Sequence, residues 1–447
     1  EMALDQDFED RTAAGSVTTG ASRDFTVKVD VHDLKWGRDY YYRFALDGRW
    51  SPIGRTRLAP KGGEVSQLRF AVCVGSSYAR GYYHGSRHIA ARADLDAVLH
   101  LGDYYYEYGN EYYEERNGLV RPHEPPHEAV TLGDYRTRLS QARRDPDLQE
   151  VHRQHPFIWI WDDHETANDS WVGGAENHDP DEGPWEERVA AATQALFEWM
   201  PIRDDGEQHI YRAFEYGELA DLIMLDTRLE GREEPFDAGP TGIFTPGDPA
   251  LPNRIMSATQ EGWLQTQISN NTARWKIIGN QVAVSNWQLV DPVSGKVDYF
   301  GADQWHGYPG SRDRLLSFLR ESGPSNVVFV SGDRHISIVM DVTIDDGSYD
   351  PETQEGALAA EFVTPAVSAP GTGPSVLDQV NSQTPNVRYW ESDHRGYMVI
   401  DVQADKVQAD WYLLDGVEEN QGNESLDASW AVFDGETQVV EVDAPES

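Results

Sequence analysis

The chain of 447 residues has a single cysteine, Cys73, which excludes an internal disulfide. That absence leaves the compartment open, because many exported proteins carry no disulfide. Lysine is almost missing. Six of the 37 cationic residues are Lys and 31 are Arg, set against 77 Asp and Glu, for a formal charge of −40. Nucleic acid is disfavoured, since its phosphates need a basic surface. Docking on anionic lipid is disfavoured for the same reason. No apolar stretch approaches the roughly 20 residues that span a bilayer. No leader peptide stands at Glu1-Met2-Ala3-Leu4-Asp5, a start expected of a processed or truncated chain. The sequence also lacks a G-x-S-x-G elbow, an H-E-x-x-H pair, a phosphate-cradling P-loop and any internal repeat.

Hydrophobic residues make up 39% and aromatics 11%, the composition of a globular chain with a large core. Abundant Asp and Glu with little Lys fits a surface adapted to high salt, where screening relieves self-repulsion. It equally fits an ordinary acidic exported protein. Residues 1 to 60 read as β structure, a partial sandwich short of the roughly 100 residues of a complete one. Asp24 to Val31 alternates polar and apolar with period two, predicting a strand. Tyr40 to Phe44 predicts another, and Asp47-Gly48 a hairpin turn. Pro60-Lys61-Gly62-Gly63 is the expected linker. From residue 61 to 447 the pattern becomes α/β. Helices are predicted at Ser86 to Arg92, Asp134 to Arg144, Glu186 to Met200, Ala258 to Ser269 and Asp313 to Glu321. The tail from Ile336 to Val442 reads mainly as strands. Asp169 to Glu187 is a long acidic loop of the kind that often serves function.

Four short segments follow apolar runs that read as buried parallel strands. They are Gly102-Asp103-Tyr104-Tyr105-Tyr106, Trp161-Asp162-Asp163-His164-Glu165, Gly279-Asn280-Gln281 and Ser331-Gly332-Asp333-Arg334-His335. Ligands bind beyond the carboxyl ends of such strands, so these side chains are predicted to converge. Oxygen and imidazole donors together suit hard or borderline cations. Tyr106, three residues beyond Asp103, returns to the same centre if the chain turns into a helix there. The alternative is an aromatic wall of Tyr104, Tyr105 and Tyr106. Four ionisable side chains in a row from Asp162 to Glu165 need a counter-ion when buried, and a His beside a metal can act as general acid. The competing reading is a solvated acidic turn. Asp333 and His335, at i and i+2, share one side of an extended chain. Asn280 and Gln281 alone read as readily as turn residues. Cys73, inside an apolar strand, reads as a buried small hydrophobe.

Together these segments resemble the calcineurin-like metallophosphoesterase superfamily, and within it the PhoD-type alkaline phosphatases and phosphodiesterases. Leu225-Asp226-Thr227-Arg228, His394-Arg395-Gly396-Tyr397 and Gly54-Arg55-Thr56-Arg57 resemble PhoD-type segments as well. The resemblance implies a four-layer α/β/β/α sandwich behind a small amino-terminal β-sandwich domain. It implies hydrolysis of phosphomonoesters or phosphodiesters by a metal-bound hydroxide, outside the cytoplasm in the extracellular or periplasmic space, to scavenge phosphate. By the resemblance Asp103 bridges metals, Tyr106 ligates iron, and Asp163, Asp333, His335 and Asn280 complete the cluster. His164 protonates the leaving group and Arg228 meets the phosphate oxygens. Asp162, Asn168, Gln281, His394 and Cys73 are further candidates for metal or substrate. Iron (Fe3+) with calcium (Ca2+) is the expected metal set, with Mn2+ or Zn2+ as alternatives. The expected substrate is a small phosphoester, with no nucleic-acid scaffold and no transmembrane segment, and nothing in the sequence assigns an oligomeric state. Two other readings compete: a phospholipase D-like phosphodiesterase, against which the acidic loop speaks, and a non-catalytic binding protein on a decayed scaffold.

One departure stands out. The family's metal-ligating Cys aligns with Gly75, two residues beyond Cys73. Either Cys73 substitutes through a shifted loop, or the ferric site has lost a ligand, which would move the metal preference toward calcium, manganese or zinc; the second reading is favoured here. The purified protein is therefore expected to lack the purple-to-pink tyrosinate–iron(III) absorption, or to show it weakly. A strong visible band abolished by Tyr106→Phe would contradict that reading.

Overall fold

Alternation along two strands reveals the layering of the protein. In the computed structural model Ile277 and Val328 point into one core, and their neighbours Ile278 and Phe329 into another. The structure describes residues 1–445 apart from 64, 204–205, 207, 249, 271, 292, 345–348 and 372–373. Two seven-stranded sheets dominate it. The first runs in the order Val439–Glu441, Glu424–Phe433, Lys406–Leu414, Arg395–Gln403, Gln67–Cys73, Ala97–His100 and Phe157–Trp159. Its last three strands are parallel, and the others pair antiparallel. The second runs Arg212–Tyr216, Ala220–Met224, Trp275–Asn280, Val327–Ser331, Ala357–Val363, Ser337–Thr343 and Val387–Glu391, with a parallel centre and antiparallel margins.

The sheets face each other. Val72, Leu99, Ile400 and Trp411 of the first share one buried cluster with Trp275, Ile277, Val330 and Phe362 of the second. Helices cover the outer faces. Leu139, Val151 and Leu196 come from Leu132–Ala142, Pro146–Gln154 and Trp185–Trp199. Leu264 and Leu315 come from Ala258–Asn270 and Pro309–Ser322. This is the four-layer α/β/β/α sandwich expected from the sequence. Two tryptophans stitch its middle. Trp411 Nε1 donates to Val363 O across the interface at 3.0 Å, and Trp275 Nε1 donates back to Gln403 O at 2.7 Å.

The parallel strands of both sheets end on one side of the sandwich, and the loops beyond them interlock. Gln281 Nε2 donates to Trp161 O at 2.9 Å and Leu225 O at 2.8 Å. Val74 bridges to Ala366, and Ser76 N donates to Asp103 O at 2.7 Å. No helix among the described residues is long and apolar enough to cross a membrane.

The amino-terminal piece is a four-stranded sheet of Arg11–Ala13, Met2–Ala3, Asp39–Tyr42 and Gly54–Arg57. The Asp47-Gly48 hairpin forms as expected, with both residues at positive φ. The strand predicted for Asp24 to Val31 does not form. Its apolar face stays out, with Phe25 69% and Val29 52% exposed. Its polar face binds the catalytic layer instead: Lys28 Nζ donates to Ile202 O at 2.8 Å, and Asp24 accepts from Trp199 Nε1 at 3.0 Å. The alternation is genuine, but polar anchors to a neighbouring helix won over strand pairing. Helices Pro146–Gln154 and Pro374–Gln383 and the hairpin Gln288–Val290 with Val297–Phe300 lie beyond the sequence-based expectation.

The two-way tryptophan stitch should be measurable. Trp411→Ala is expected to lower stability by about 3–5 kcal/mol. Trp275→Phe, which keeps an aromatic ring but leaves Gln403 O unpaired, should lower it by about 1–3 kcal/mol. Urea unfolding reads both; a Trp411→Ala midpoint equal to that of the unaltered protein would contradict the packing.

Candidate metal centre

Backbone geometry sets the site before any side chain is considered. Gly102, at φ +111, leads into Asp103, and a Cβ on Gly102 would stand 2.4 Å from Asp162 N and Cβ. Only glycine lets these two strand-end loops touch. Asp103, Asp333 and His335 all hold left-handed backbones, at φ 54, 63 and 60. That conformation costs an L-residue roughly 1–2 kcal/mol, so the surrounding loops impose it. No helix follows Asp103 directly, since the next one begins at Asn110. The left-handed turn performs the task expected of a helix: Tyr106 Oη donates to Asp103 Oδ2 at 2.8 Å. His335 Nε2 lies 2.9 Å from the same oxygen and 3.1 Å from Tyr106 Oη. Residues 232 positions apart thus close a triangle of Asp, Tyr and His donors.

Beside this triangle lies a buried acidic cluster. Ligand atoms of Asp103, Asp163 and His164 fall within 4.8 Å of one another, as do those of Asp162, Asp163 and Asp333. The two groups share Asp163 and so adjoin. Arg228, fully buried, sits among the carboxylates. Its Nε donates to Asp162, Nη1 to Asp303 at 2.7 Å and Nη2 to Asp333 at 2.8 Å, with Asp163 3.7 Å away. Arg232 adds a second cation on Asp303, and Gln304 Nε2 donates to Asp333 Oδ2 at 2.7 Å. Arg334 Nε lies 3.7 Å from Asp333 as a third cation, and three guanidinium groups still do not neutralise Asp103, Asp162, Asp163, Asp303 and Asp333. Burial raises Asp162 far above the carboxylate range; Arg228 opposes that rise, while Asp163, Asp333 and Asp103 add to it. Asp163 moves the opposite way: burial would raise it, but Arg228, His164 and the Asp169 N–H bring it down. Burial and Asp103 push Glu165 up to about 8. Asp103 Oδ1 and Asp162 Oδ2 are buried without a hydrogen-bond partner. Oxygen donors of this density, two of them orphaned, fit multivalent cations.

A second layer orients the first. Glu165 accepts backbone N–H groups from Asp103, Tyr104 and Asp162 at 3.1, 2.7 and 2.8 Å, tying the two loops together. Glu107 is fully buried and holds His164 Nδ1 at 2.7 Å, which leaves the other ring nitrogen, Nε2, for chemistry. Burial alone would weaken the proton affinity of His164, yet Glu107, Asp163 and Asp103 outweigh it and hold the imidazole well above its usual range. Asn168 N and Asn177 Nδ2 complete the shell of Glu107 at 2.8 and 2.9 Å.

Several expected residues lie elsewhere. The amide of Asn280 bonds Val282 O, Ser331 Oγ and Trp305 Nε1, none of them in the carboxylate cluster. Gln281 joins the loops through backbone groups and Thr227. Asn280 ends the Trp275–Asn280 strand and Gln281 follows it, and the amides of both bond neighbouring loops. Arg228 is an interior counter-ion whose three nitrogens already carry carboxylate partners, not a free donor for phosphate. His394 is half exposed and paired with Glu391 at 2.9 Å. Cys73 lies in the core between the sheets, where burial pushes its thiol up. Gly75 is the position that faces the centre: a Cβ there would stand 2.9 Å from His335 Nε2. Sequence reasoning missed Glu107, Asp303 and Gln304. Glu107 lay within a quoted neighbourhood, one residue past Tyr106; Asp303 and Gln304 follow no buried parallel strand.

Two facing sheets with an Asp, His and Tyr cluster at their joined strand ends define a metallophosphoesterase, a hydrolase acting on phosphoester bonds. The chain belongs to the PhoD-like phosphatase family, which matches residues 70–411, while the amino-terminal domain of that family matches residues 1–60. It is 33% identical to alkaline phosphatase D of Bacillus subtilis (strain 168) over 434 residues, spanning 94% of this chain and 71% of that protein. The solved structure of PhoD superposes with a TM-score of 0.90 at 31% identity, covering all of this chain and 85% of that one. A purple acid phosphatase, PPD1 from yellow lupin seeds, shares the fold at a TM-score of 0.52 and 13% identity, over 90% of this chain and 60% of that one.

Removing Arg228 separates its charge role from any metal. Arg228→Met should lower stability by about 3–5 kcal/mol in EDTA, the penalty for leaving buried charges uncompensated. The loss should shrink when Ca2+ is supplied. Thermal unfolding with and without the cation reads the difference, and equal losses in both conditions would refute the cluster as a cation site.

Proposed function

We propose that this protein hydrolyses phosphomonoesters, phosphodiesters or both at a multinuclear metal site, outside the cytoplasm, to release phosphate. The observation that carries this reading is the pair of orphaned carboxylate oxygens, Asp103 Oδ1 and Asp162 Oδ2, buried in a cluster with excess negative charge. Membership of the PhoD-like family supports it. Asp103, Tyr106 and His335 would hold one cation, and Asp162, Asp163 and Asp333 would hold cations beside it. When bound, the metals supply Lewis acidity for the phosphoryl oxygens and a hydroxide nucleophile near neutral pH. The chain's own residues then position and protonate. His164, fixed through Nδ1 by Glu107, presents Nε2 and delivers a proton to the leaving oxygen. Glu165 keeps the Asp103 and Asp162 loops at a fixed separation, so little reorganisation remains for the reacting state. With no thiolate at the centre and oxygen donors outnumbering nitrogen, the proposed metal set leans from iron toward calcium, with Mn2+ or Zn2+ as alternatives.

Metal analysis of purified protein, paired with aryl phosphate monoester and diester assays at alkaline pH with and without calcium, tests the reading. Two or more metals per chain with turnover are expected. His164→Ala should then lower turnover by about 10²–10⁴-fold at unchanged metal content. Metal-free protein that no added cation activates would overturn the proposal.

A further inference from the structure

Two arginines near the metal centre, Arg80 and Arg395, have no carboxylate partner in a direct ion pair among the described residues. Arg80 lies in the loop beyond the Gln67–Cys73 strand, and Arg395 opens the Arg395–Gln403 strand beside it. The two strands pair antiparallel with Met398 opposite Val72. Continuing that register sets Arg395 level with Gly75, the position that faces His335. The next residue, Gly396, donates N–H to Ala366 O at 2.8 Å, and Ala366 packs with Tyr106. Arg395 therefore stands on the Tyr106 side of the centre, where burial acts on it most, followed by the charges of Glu418, Arg80, Glu391 and Tyr106.

Neither guanidinium is satisfied. Arg80 Nε is buried without a partner, and its group leans only on the Tyr113 ring, 5.4 Å from the centroid. Gly118 makes room for it: a Cβ there would fall 1.3 Å from Arg80 Nη1. Arg395 Nε is likewise buried and unpaired, and its Nη1 reaches only Asp393 O at 3.2 Å. The acidic residues nearby are engaged otherwise. Glu391 accepts from His394 Nδ1 and Asp393 N, each at 2.9 Å, and Glu418 accepts from Val417 N at 3.1 Å. Glu418 and Glu391 act on Arg395 only from a distance, and two neighbouring half-buried guanidinium groups with no direct ion pair among the described residues leave donor capacity unused. Guanidinium forks match phosphate oxygens geometrically.

We propose that Arg80 and Arg395 form a subsite for a second phosphate group of the substrate, beside the phosphoester that is cleaved. The proposal rests on the phosphoester-hydrolase reading above. The substrate class it implies is a phosphoester with a further phosphate on the same molecule.

The test compares alkanediol bisphosphates of increasing chain length with the matching alkyl monophosphates, using metal-loaded protein and following phosphate release. At the best chain length the ratio of kcat/KM, bisphosphate over monophosphate, should be about tenfold or more, the scale of one charge-assisted hydrogen bond. Arg80→Gln and Arg395→Gln should each bring the ratio toward one, mainly through KM for the bisphosphate. Gly118→Ala, which displaces the Arg80 guanidinium and removes no charge, should do the same. A native ratio near one, or variants that keep the native ratio, would overturn the subsite and leave the hydrolase reading intact. Absence of turnover on every ester would overturn both.

Discussion

Repulsion among buried carboxylates is the constraint on which the rest of the structure depends. Asp103, Asp162, Asp163, Asp303 and Asp333 occupy one interior region, with the guanidinium groups of Arg228, Arg232 and Arg334 set against them. An arrangement of this kind is unstable in isolation, because desolvation and like charge act in the same direction. The fold tolerates it by distributing the carboxylates over separate loops. Each loop is held by its own strand, so the energy of the two-sheet core opposes their separation. The interdigitated core and the crossing tryptophans do more than stabilise a domain. They hold mutually repelling groups close enough to act as one cation-binding unit.

Orientation within that unit is assigned to a second set of acids. Glu165 binds three backbone N–H groups and no cation, and Glu107 binds an imidazole and two amide donors. Buried Glu with full hydrogen bonding makes a rigid strut. The left-handed residues Asp103, Asp333 and His335 show the same division of labour. Their backbones store strain that the loops around them impose, and the strain aims their side chains at one another. The site is therefore preorganised at the level of the backbone, before any cation joins it.

Much of this was legible in the sequence because parallel strands announce themselves. Continuous apolar runs ending in Asp, His or Gly gave the strands at Ala97, Phe157, Trp275 and Val327 and located three of the four converging segments. The fourth is ambiguous: Asn280 closes a genuine strand, and its amide bonds Val282, Ser331 and Trp305, contacts that an amide in sequence does not announce. Asp303 and Gln304 were hidden for the opposite reason. They enter on a loop after the Val297–Phe300 hairpin, so no apolar run precedes them. Arg228 was recognised as important, and the structure shows it among Asp162, Asp303 and Asp333, partners that its charge alone does not reveal. The Asp24 to Val31 segment failed through a tertiary contact: period-two patterning records which faces differ, not which of the two is buried.

Gly75 joins these themes. Cys73, the single thiol, packs between the sheets as a buried small hydrophobe and does not meet the cluster. The informative position is the one with no side chain. At φ +66, with His335 and Ala366 pressed against it, Gly75 allows the His335 ring to come close to Asp103 and Tyr106. A bulkier residue there would need His335 or Ala366 to shift. The donor set that results is carboxylate, phenolate and imidazole, without sulfur. Carboxylate and phenolate oxygens prefer harder ions than a thiolate would. The absence of a side chain at Gly75 thus bears on the site twice: it admits the imidazole, and it leaves the donors there as oxygen and nitrogen.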